Sequence, residues 1–186
     1  MYKELGEQEL ARYCREEDRM AEDELYRRYA ARVYALCRRY IRNDDEAKDT
    51  MQEALVHALG RIQAFQYTSE GSLYRWLSRI AVNKAIDQIR KHRWKMVSLD
   101  FRENDTVPDP DGEEVETIPE EKLLEWIDRL PDLKRSVFNL YCIDGYSHKE
   151  IAQMLGITER GSTSILAKAR KQLKAAIQQY LKEQGK

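Results

Sequence analysis

The stretch that decides the fold of this chain runs from Ser147 to Lys174 and reads SHKEIAQMLGITERGSTSILAKARKQLK. Ser147 and Glu150 form a capping box, in which the serine caps a helix and the glutamate three residues later reaches back to it. Gly156 ends that short helix, and Thr158 is placed to cap the longer helix that follows. Helix, glycine turn and helix predict a helix-turn-helix, whose second helix can enter the DNA major groove with its N-terminal residues.

The second helix begins with small and hydroxyl residues, from Gly161 to Ser164. Glycine inside a helix costs roughly 1 kcal/mol against alanine, so this composition needs a reason. Backbone N–H groups at a helix N-terminus attract phosphate, and small residues let the main chain approach closely. Basic residues continue along the helix: Lys168, Arg170, Lys171 and Lys174. We therefore predict a DNA contact at this end, with a solvated face as the alternative for any single lysine.

The rest of the chain also has helical periodicity, and no strand-like alternation of useful length occurs. Apolar residues spaced by three or four positions predict three helices in the first half of the chain: Leu25, Tyr29, Val33, Leu36 and Tyr40 in one, Met51, Leu55, Leu59 and Ile62 in the next, and Leu73, Trp76, Leu77, Ile80 and Ala81 in the third. The expected fold class is all-α.

Charge is unevenly distributed along the chain, although the formal net charge is only −1. Residues 100–121 hold one arginine and ten acids, whereas the segments before and after them carry balances of +3 and +5. This stretch also holds three of the four prolines, and it cannot bury enough apolar surface to offset the entropy of ordering. We predict two small helical domains, residues 1–95 and 119–186, joined by a flexible acidic linker at 96–118.

Composition also excludes several classes of protein. The three cysteines, Cys14, Cys37 and Cys142, are isolated in sequence, which is not the pattern of a zinc module or a disulfide framework. The N-terminal residues have no apolar signal-peptide core, and no apolar run approaches membrane-spanning length. We expect a reduced, cytoplasmic protein with no metal or cofactor and no direct membrane insertion.

Two blocks of the chain resemble extracytoplasmic-function sigma factors, the small two-domain specificity subunits of bacterial RNA polymerase. The segment ELYRRYAARVYALCRRYIRNDDEAKDTMQEAL is similar to regions 2.1 and 2.2, and GSLYRWLSRIAVNKAIDQIRK is similar to regions 2.3 and 2.4. The segment LPDLKRSVFNLYCIDGYSHKEIAQMLGI resembles region 4. The blocks occur in the order of the family, so the resemblance implies sigma region 2 in the first domain and region 4 in the second.

The resemblance implies a function for each block. In the first block, Asp49, Gln52 and Glu53 are implied to bind the clamp helices of the polymerase β′ subunit. The loop before the third helix and the outer face of that helix are implied to melt and read the −10 promoter element. The residues concerned are Phe65, Gly71, Ser72, Arg75, Trp76, Arg79, Asn83 and Lys84. An asparagine offers a donor and an acceptor to a base edge, while a buried structural asparagine is the competing interpretation of Asn83.

In the second block, the helix from about Glu159 to Tyr180 is implied to read the −35 element. Its candidate contacts are Arg160, Gly161, Ser162, Thr163, Ser164, Lys168 and Lys171. The family often has a basic residue where Thr163 stands and a glycine where Arg160 stands, so base preferences do not transfer. The implied partners are core RNA polymerase, including its β flap, promoter DNA, and an anti-sigma factor of the free or membrane-bound kind.

Two other classes of function compete with this interpretation. An enzyme would have to use Cys142 with His148, or the acids at 44, 45 and 49, yet no nucleophile, base and orienting group occur together in the sequence. A sigma-like adaptor that binds an anti-sigma factor or polymerase without reading DNA should have lost the basic residues of its last helix. Residues 156–186 keep seven Lys and Arg against two acids, which favours DNA binding.

Overall fold

The computed structural model describes residues 2–93 and 118–184. The chain divides into two compact units, residues 1–95 and 96–186, and every regular element described in them is a helix. The all-α class with two helical domains is confirmed. All but the last residue of the predicted linker at 96–118 lies outside the described residues. None of the helices described is long and apolar enough to cross a bilayer.

The first unit contains four α-helices: α1 (Glu7–Arg15), α2 (Arg19–Tyr40), α3 (Asp44–Leu59) and α4 (Ser72–Arg93). Asp18 and Asn43 cap α2 and α3, because each side chain accepts hydrogen bonds from two amides of the first turn. The three longer helices pack against one another around a core that includes Leu25, Val33, Leu36, Leu55 and Leu77. This packing leaves one face of α3 and one face of α4 exposed.

A buried carboxylate joins three helices of this unit. Glu7, at the start of α1, is only 3% exposed. The Tyr29 hydroxyl of α2 donates to its Oε1 at 2.9 Å, and the Leu73 amide of α4 donates to its Oε2 at 3.0 Å. Burial and this carboxylate raise the pKa of Tyr29. Glu7 therefore supplies an acceptor to the first turn of α4.

The second unit contains α5 (Glu120–Arg129), α6 (Asp132–Phe138), a π-helical turn (Asn139–Ile143), α7 (His148–Leu155) and α8 (Glu159–Gln184). Both hydrogen bonds of the capping box between Ser147 and Glu150 are present. Gly156 ends α7 in the left-handed conformation, with φ of 67°. Thr158 Oγ1 then accepts the Gly161 amide at 2.9 Å, which caps α8. The helix-turn-helix predicted from these signals is confirmed.

A buried arginine fixes α6 to the end of α5. The Arg135 residue is 1% exposed, and its Nη1 donates to the Asp128 carbonyl oxygen at 3.2 Å and to Asp128 Oδ1 at 3.1 Å. Its Nη2 lies 3.5 Å from Asp132 Oδ1. The planar guanidinium can satisfy several acceptors at once, which is why an arginine can occupy this position.

Candidate polymerase-binding and nucleic-acid interfaces

The outward face of α3 is an acidic edge formed by Asp49, Gln52 and Glu53, all of which are exposed. Val56, one turn further along the helix, is 70% exposed. Like charges four residues apart cost a helix about 0.2–0.5 kcal/mol per pair, so the spacing of Asp49 and Glu53 does not help α3 itself. The repulsion between these two charges is offset when a basic surface docks against them. The structure thus brings the three predicted residues together on one accessible surface.

The segment 66–71, which we call the reading loop, connects the 3-10 turn Ile62–Ala64 to α4. Its residues 66–70 are exposed, and Tyr67 presents 36% of its surface. Phe65 directly precedes the loop, is only 2% exposed and packs on Trp76 with 5.5 Å between ring centroids. Its ring is therefore part of the core, and we remove Phe65 from the residues expected to touch DNA. Tyr67, which sequence reasoning missed, is the accessible aromatic residue of the loop.

Contacts within the reading loop fix its shape. Gly71 has a φ of +83°, and a Cβ added there would lie 3.2 Å from Arg75 Nη1. Arg75 Nη2 donates to Ser69 Oγ at 3.0 Å. The Ser72 hydroxyl is buried with its residue and accepts the Thr68 amide at 3.4 Å. Gly71 and Ser72 therefore shape the loop, and Ser72 is removed from the expected DNA contacts, whereas Arg75 is exposed as well as bound to the loop.

The outward face of α4 carries Arg75, Arg79 and Asn83 at intervals of four residues, and all three are exposed. Trp76 and Lys84 are half-buried at the sides of this row. The competing interpretation of a buried structural Asn83 is wrong, because the side chain lies on the surface. The row combines two guanidinium groups for phosphate with one amide for a base edge.

The outward face of α8 carries Arg160, Thr163 and Lys171, which are exposed, with Ser164 and Lys168 half-buried beside them. The opposite face is committed to the core through Ile165, Leu166, Ala169 and Leu173. Ser162 lies on that inner side: it is 0% exposed, and its Oγ is 2.9 Å from His148 Nδ1. Ser162 therefore joins α7 to α8, and we remove it from the residues expected to touch DNA.

The glycine near the start of α8 has a structural explanation. A Cβ added to Gly161 would lie 3.0 Å from Thr158 Oγ1, the atom that caps the helix. The amide of Gly161 is already bound to that same oxygen, so it is not free to receive a phosphate. The absent side chain makes room for the cap, and a close approach to DNA is not needed to account for it.

Comparison with known proteins assigns the chain to a family. Residues 25–95 match sigma-70 region 2, and residues 120–173 match sigma-70 region 4. The chain is 31% identical to the ECF RNA polymerase sigma factor SigE of Mycolicibacterium smegmatis, over 87% of this chain and 63% of that protein. It is 30% identical to the ECF RNA polymerase sigma factor SigM of Mycobacterium tuberculosis, over 84% of this chain and 76% of that protein. The chain is an ECF sigma factor.

A solved structure has the same fold as this sigma factor. It is the sigma factor RpoE in its co-crystal with the anti-sigma factor NepR from Bartonella quintana, with a TM-score of 0.50 and 19% identity, over 84% of this chain and 96% of that chain. Sigma factors bind core RNA polymerase and promoter DNA and initiate transcription without being enzymes. The predicted family is confirmed, and the enzymatic alternative is set aside.

His148 contacts its neighbours within the second unit, and two of the three cysteines are buried in the first unit. His148 stacks on the Tyr141 ring with 4.4 Å between centroids, in addition to its bond with Ser162. Cys142 is exposed on the π-helical turn. Burial raises the pKa of Cys14 to about 11 and that of Cys37 to about 12, so both thiols stay protonated at neutral pH.

We expect the second unit to lose stability in acid through His148. Burial lowers the pKa of His148 below its ordinary value of 6.5, against an opposing effect of Glu159. The unfolded chain therefore binds the proton more tightly, so the stability present above pH 6.5 is lost as the pH falls through the folded-state pKa. Hydrogen exchange of α7 and α8 amides at pH 7.5 and pH 5 measures this loss. A His148→Gln chain with an unchanged pH dependence would contradict the assignment.

Proposed function

We propose that this sigma factor binds core RNA polymerase through the acidic edge of α3 and directs promoter-specific initiation with both units. The first unit reads the −10 element with the reading loop and the outward row of α4, and the second reads the −35 element with α8. The observation that carries the proposal is that Asn83 and Thr163, a potential base reader in each unit, are exposed on faces that also hold basic residues. Phosphate contacts position such a protein, and contacts to base edges give it specificity.

The chemistry of the first unit suits a melted strand. Bases taken out of a duplex are held by stacking on aromatic side chains and by hydrogen bonds to their edges. Tyr67 offers an exposed aromatic surface on the reading loop, and Asn83 offers a donor and an acceptor on α4. Arg79 adds a positive charge for the phosphates between them.

We expect Tyr67→Ala to raise the free energy of promoter opening by about 1–3 kcal/mol, because a stacked base would lose its contact with the aromatic ring. Tyr67→Phe keeps the ring and should behave as the unchanged protein does. The measurement is the rate of open-complex formation by the holoenzyme at its own promoter, with assembly on core enzyme as the control. Equal opening by the alanine and phenylalanine variants would exclude stacking on Tyr67.

Sequencing the transcripts made by core RNA polymerase with the full chain tests the proposed function directly. We expect start sites that share an upstream element, and a changed preference for that element with Thr163→Ala, since a base contact discriminates by ~1–3 kcal/mol. Lys171→Ala should weaken all start sites equally and lower the salt slope of binding by about one unit. If the full chain adds no start sites to those that core polymerase uses alone, the proposal is overturned.

We also propose partners and a compartment. Among known proteins of this fold, the sigma factor RpoE is bound by the anti-sigma factor NepR. A regulator of that kind, free or anchored in a membrane, is the expected partner that holds this chain inactive. The second unit is expected to contact the polymerase β flap, and the chain is expected to work in the cytoplasm, where polymerase and promoter are found.

The sigma-like adaptor that does not read DNA is the second candidate. It would need no exposed basic face on α8. The exposed side chains of Arg160 and Lys171, on the face opposite the core, favour the DNA-binding function instead.

A further inference from the structure

The first helix of the chain binds the start of the reading loop. Arg15, the last residue of α1, donates from Nη2 to the Phe65 carbonyl oxygen at 2.6 Å and from Nε to the Ile62 carbonyl oxygen at 3.3 Å. Gln63 Nε2 returns a hydrogen bond to the Arg15 carbonyl oxygen at 3.0 Å. Arg15 therefore fixes the backbone that leads into the loop, directly before the exposed segment with Tyr67.

The same helix binds the other end of the loop. Glu7, the first residue of α1, accepts the Leu73 amide just after the loop, and this contact is buried. The second oxygen of Glu7 is held by the Tyr29 hydroxyl of α2. The carboxylate cannot turn away from Leu73 without leaving a buried donor unpaired, which makes the contact rigid.

One rigid element thus sets the distance between the two ends of the loop. Arg15 lies eight positions after Glu7, which is about 12 Å along an α-helix. The exposed segment 66–70 lies between these two contacts, and hydrogen bonds of Thr68 and Ser69 to the start of α4 shape it. A change at either end of α1 would alter the opening of the loop without removing any residue that faces the DNA.

We propose that α1 is a positioning element for promoter melting, in which Arg15 and Glu7 hold the reading loop open at the width that admits an extruded base. This inference rests on the proposed function of the loop. Arg15 and Glu7 act through the loop backbone and touch no nucleic acid themselves. They also lie before residue 25, outside the part of the chain that matches sigma-70 region 2.

The test uses holoenzymes made with the full chain and compares Arg15→Gln with Arg12→Gln. Arg12 lies on the same helix, is exposed and rests on the Tyr13 ring, so its substitution changes the charge equally without touching the loop. Two quantities are measured on the holoenzyme: its affinity for a single-stranded oligonucleotide of the non-template −10 sequence and its affinity for a duplex −35 element. The affinity of the full chain for core enzyme is measured separately.

We expect Arg15→Gln to lower the affinity for the oligonucleotide about tenfold. This loss is a part of the binding energy that stacking of one base contributes, because the displaced loop would still hold the base in part. Core assembly and −35 binding should stay within about twofold of the unchanged protein, because no structural damage spreads from the loop. Arg15→Lys, which can reach one carbonyl oxygen, should recover part of the loss. Unchanged oligonucleotide binding by Arg15→Gln would overturn the inference, as would an equal loss of core assembly, which would show general destabilisation.

Two further variants separate this inference from the proposed function. Tyr67→Ala and Asn83→Ala are measured in the same oligonucleotide assay. If neither weakens binding, the loop does not hold a base, and both the proposed function and the inference fail. If both weaken binding while Arg15→Gln does not, only the role of α1 is overturned. If Arg15→Gln adds little to the loss caused by Tyr67→Ala, the two residues act on the same step, as the inference requires.

Discussion

The pair of substitutions Asp49→Lys and Gln52→Lys is expected to lower the affinity for core RNA polymerase by about 100-fold or more, because like charges facing each other at an interface cost several kcal/mol. Both side chains are exposed on α3, away from Met51 and Leu55 in the core. The fold does not depend on them, so the helicity of the chain should not change. A loss of affinity for core RNA polymerase would therefore come from the interface and not from unfolding of α3.

Holoenzyme assembly can be followed by titrating core enzyme into labelled full chain. Glu9→Lys is the matched control, because Glu9 is an exposed acid on α1 of the same unit and lies outside the family match. That variant should assemble normally. If the paired lysines on α3 assemble as tightly as the unchanged chain does, the acidic edge is not the polymerase contact and the surface must be sought elsewhere on the first unit.

Arg135→Ala is expected to lower the unfolding free energy of the second unit by about 3 kcal/mol, from the cavity and the lost hydrogen bonds together. Arg135 is almost fully buried, whereas the side chain of its partner Asp128 is 65% exposed. Water can therefore solvate Asp128 again after the substitution. For this reason we expect less than the full penalty of an abandoned buried charge.

Native-state hydrogen exchange of amides in α6, α7 and α8 measures this loss, and amides of α2 and α3 report on the first unit as an internal reference. Arg129→Ala is the control, because Arg129 is an exposed arginine of α5 that pairs with Glu125 on the surface. Surface pairs contribute about 0–1 kcal/mol. Equal effects of the two alanine substitutions would show that burial of Arg135 adds nothing.

Features that depend on neighbouring residues in sequence were predictable. The capping box of Ser147 and Glu150, the left-handed Gly156 and the cap at Thr158 all lie within four residues of the atoms that they satisfy. The faces of α3 and α8 were predictable for a similar reason, because the spacing of apolar residues fixes which side of a helix is buried.

Features that depend on distant residues were not predictable. Ser162 looked like an exposed hydroxyl until the structure placed His148 against it, fourteen positions earlier in the chain. Phe65 and Tyr67 lie in a connection without helical periodicity, so sequence could not decide which ring enters the core. Glu7 resembled any solvated acid at a helix start, since its donors lie 22 and 66 positions away.

Helix α1 packs within the first unit, although the match to sigma-70 region 2 does not include it. Similarity to region 2 begins at residue 25, after α1 has ended. A fragment cut at that residue would keep every residue of the first unit that we propose to contact polymerase or DNA. It would also leave the Tyr29 hydroxyl and the Leu73 amide without their buried acceptor and free the carbonyl groups of Ile62 and Phe65. We expect the smallest autonomous piece of this unit to include α1 and the first residues of α2, which lie before the match to sigma-70 region 2.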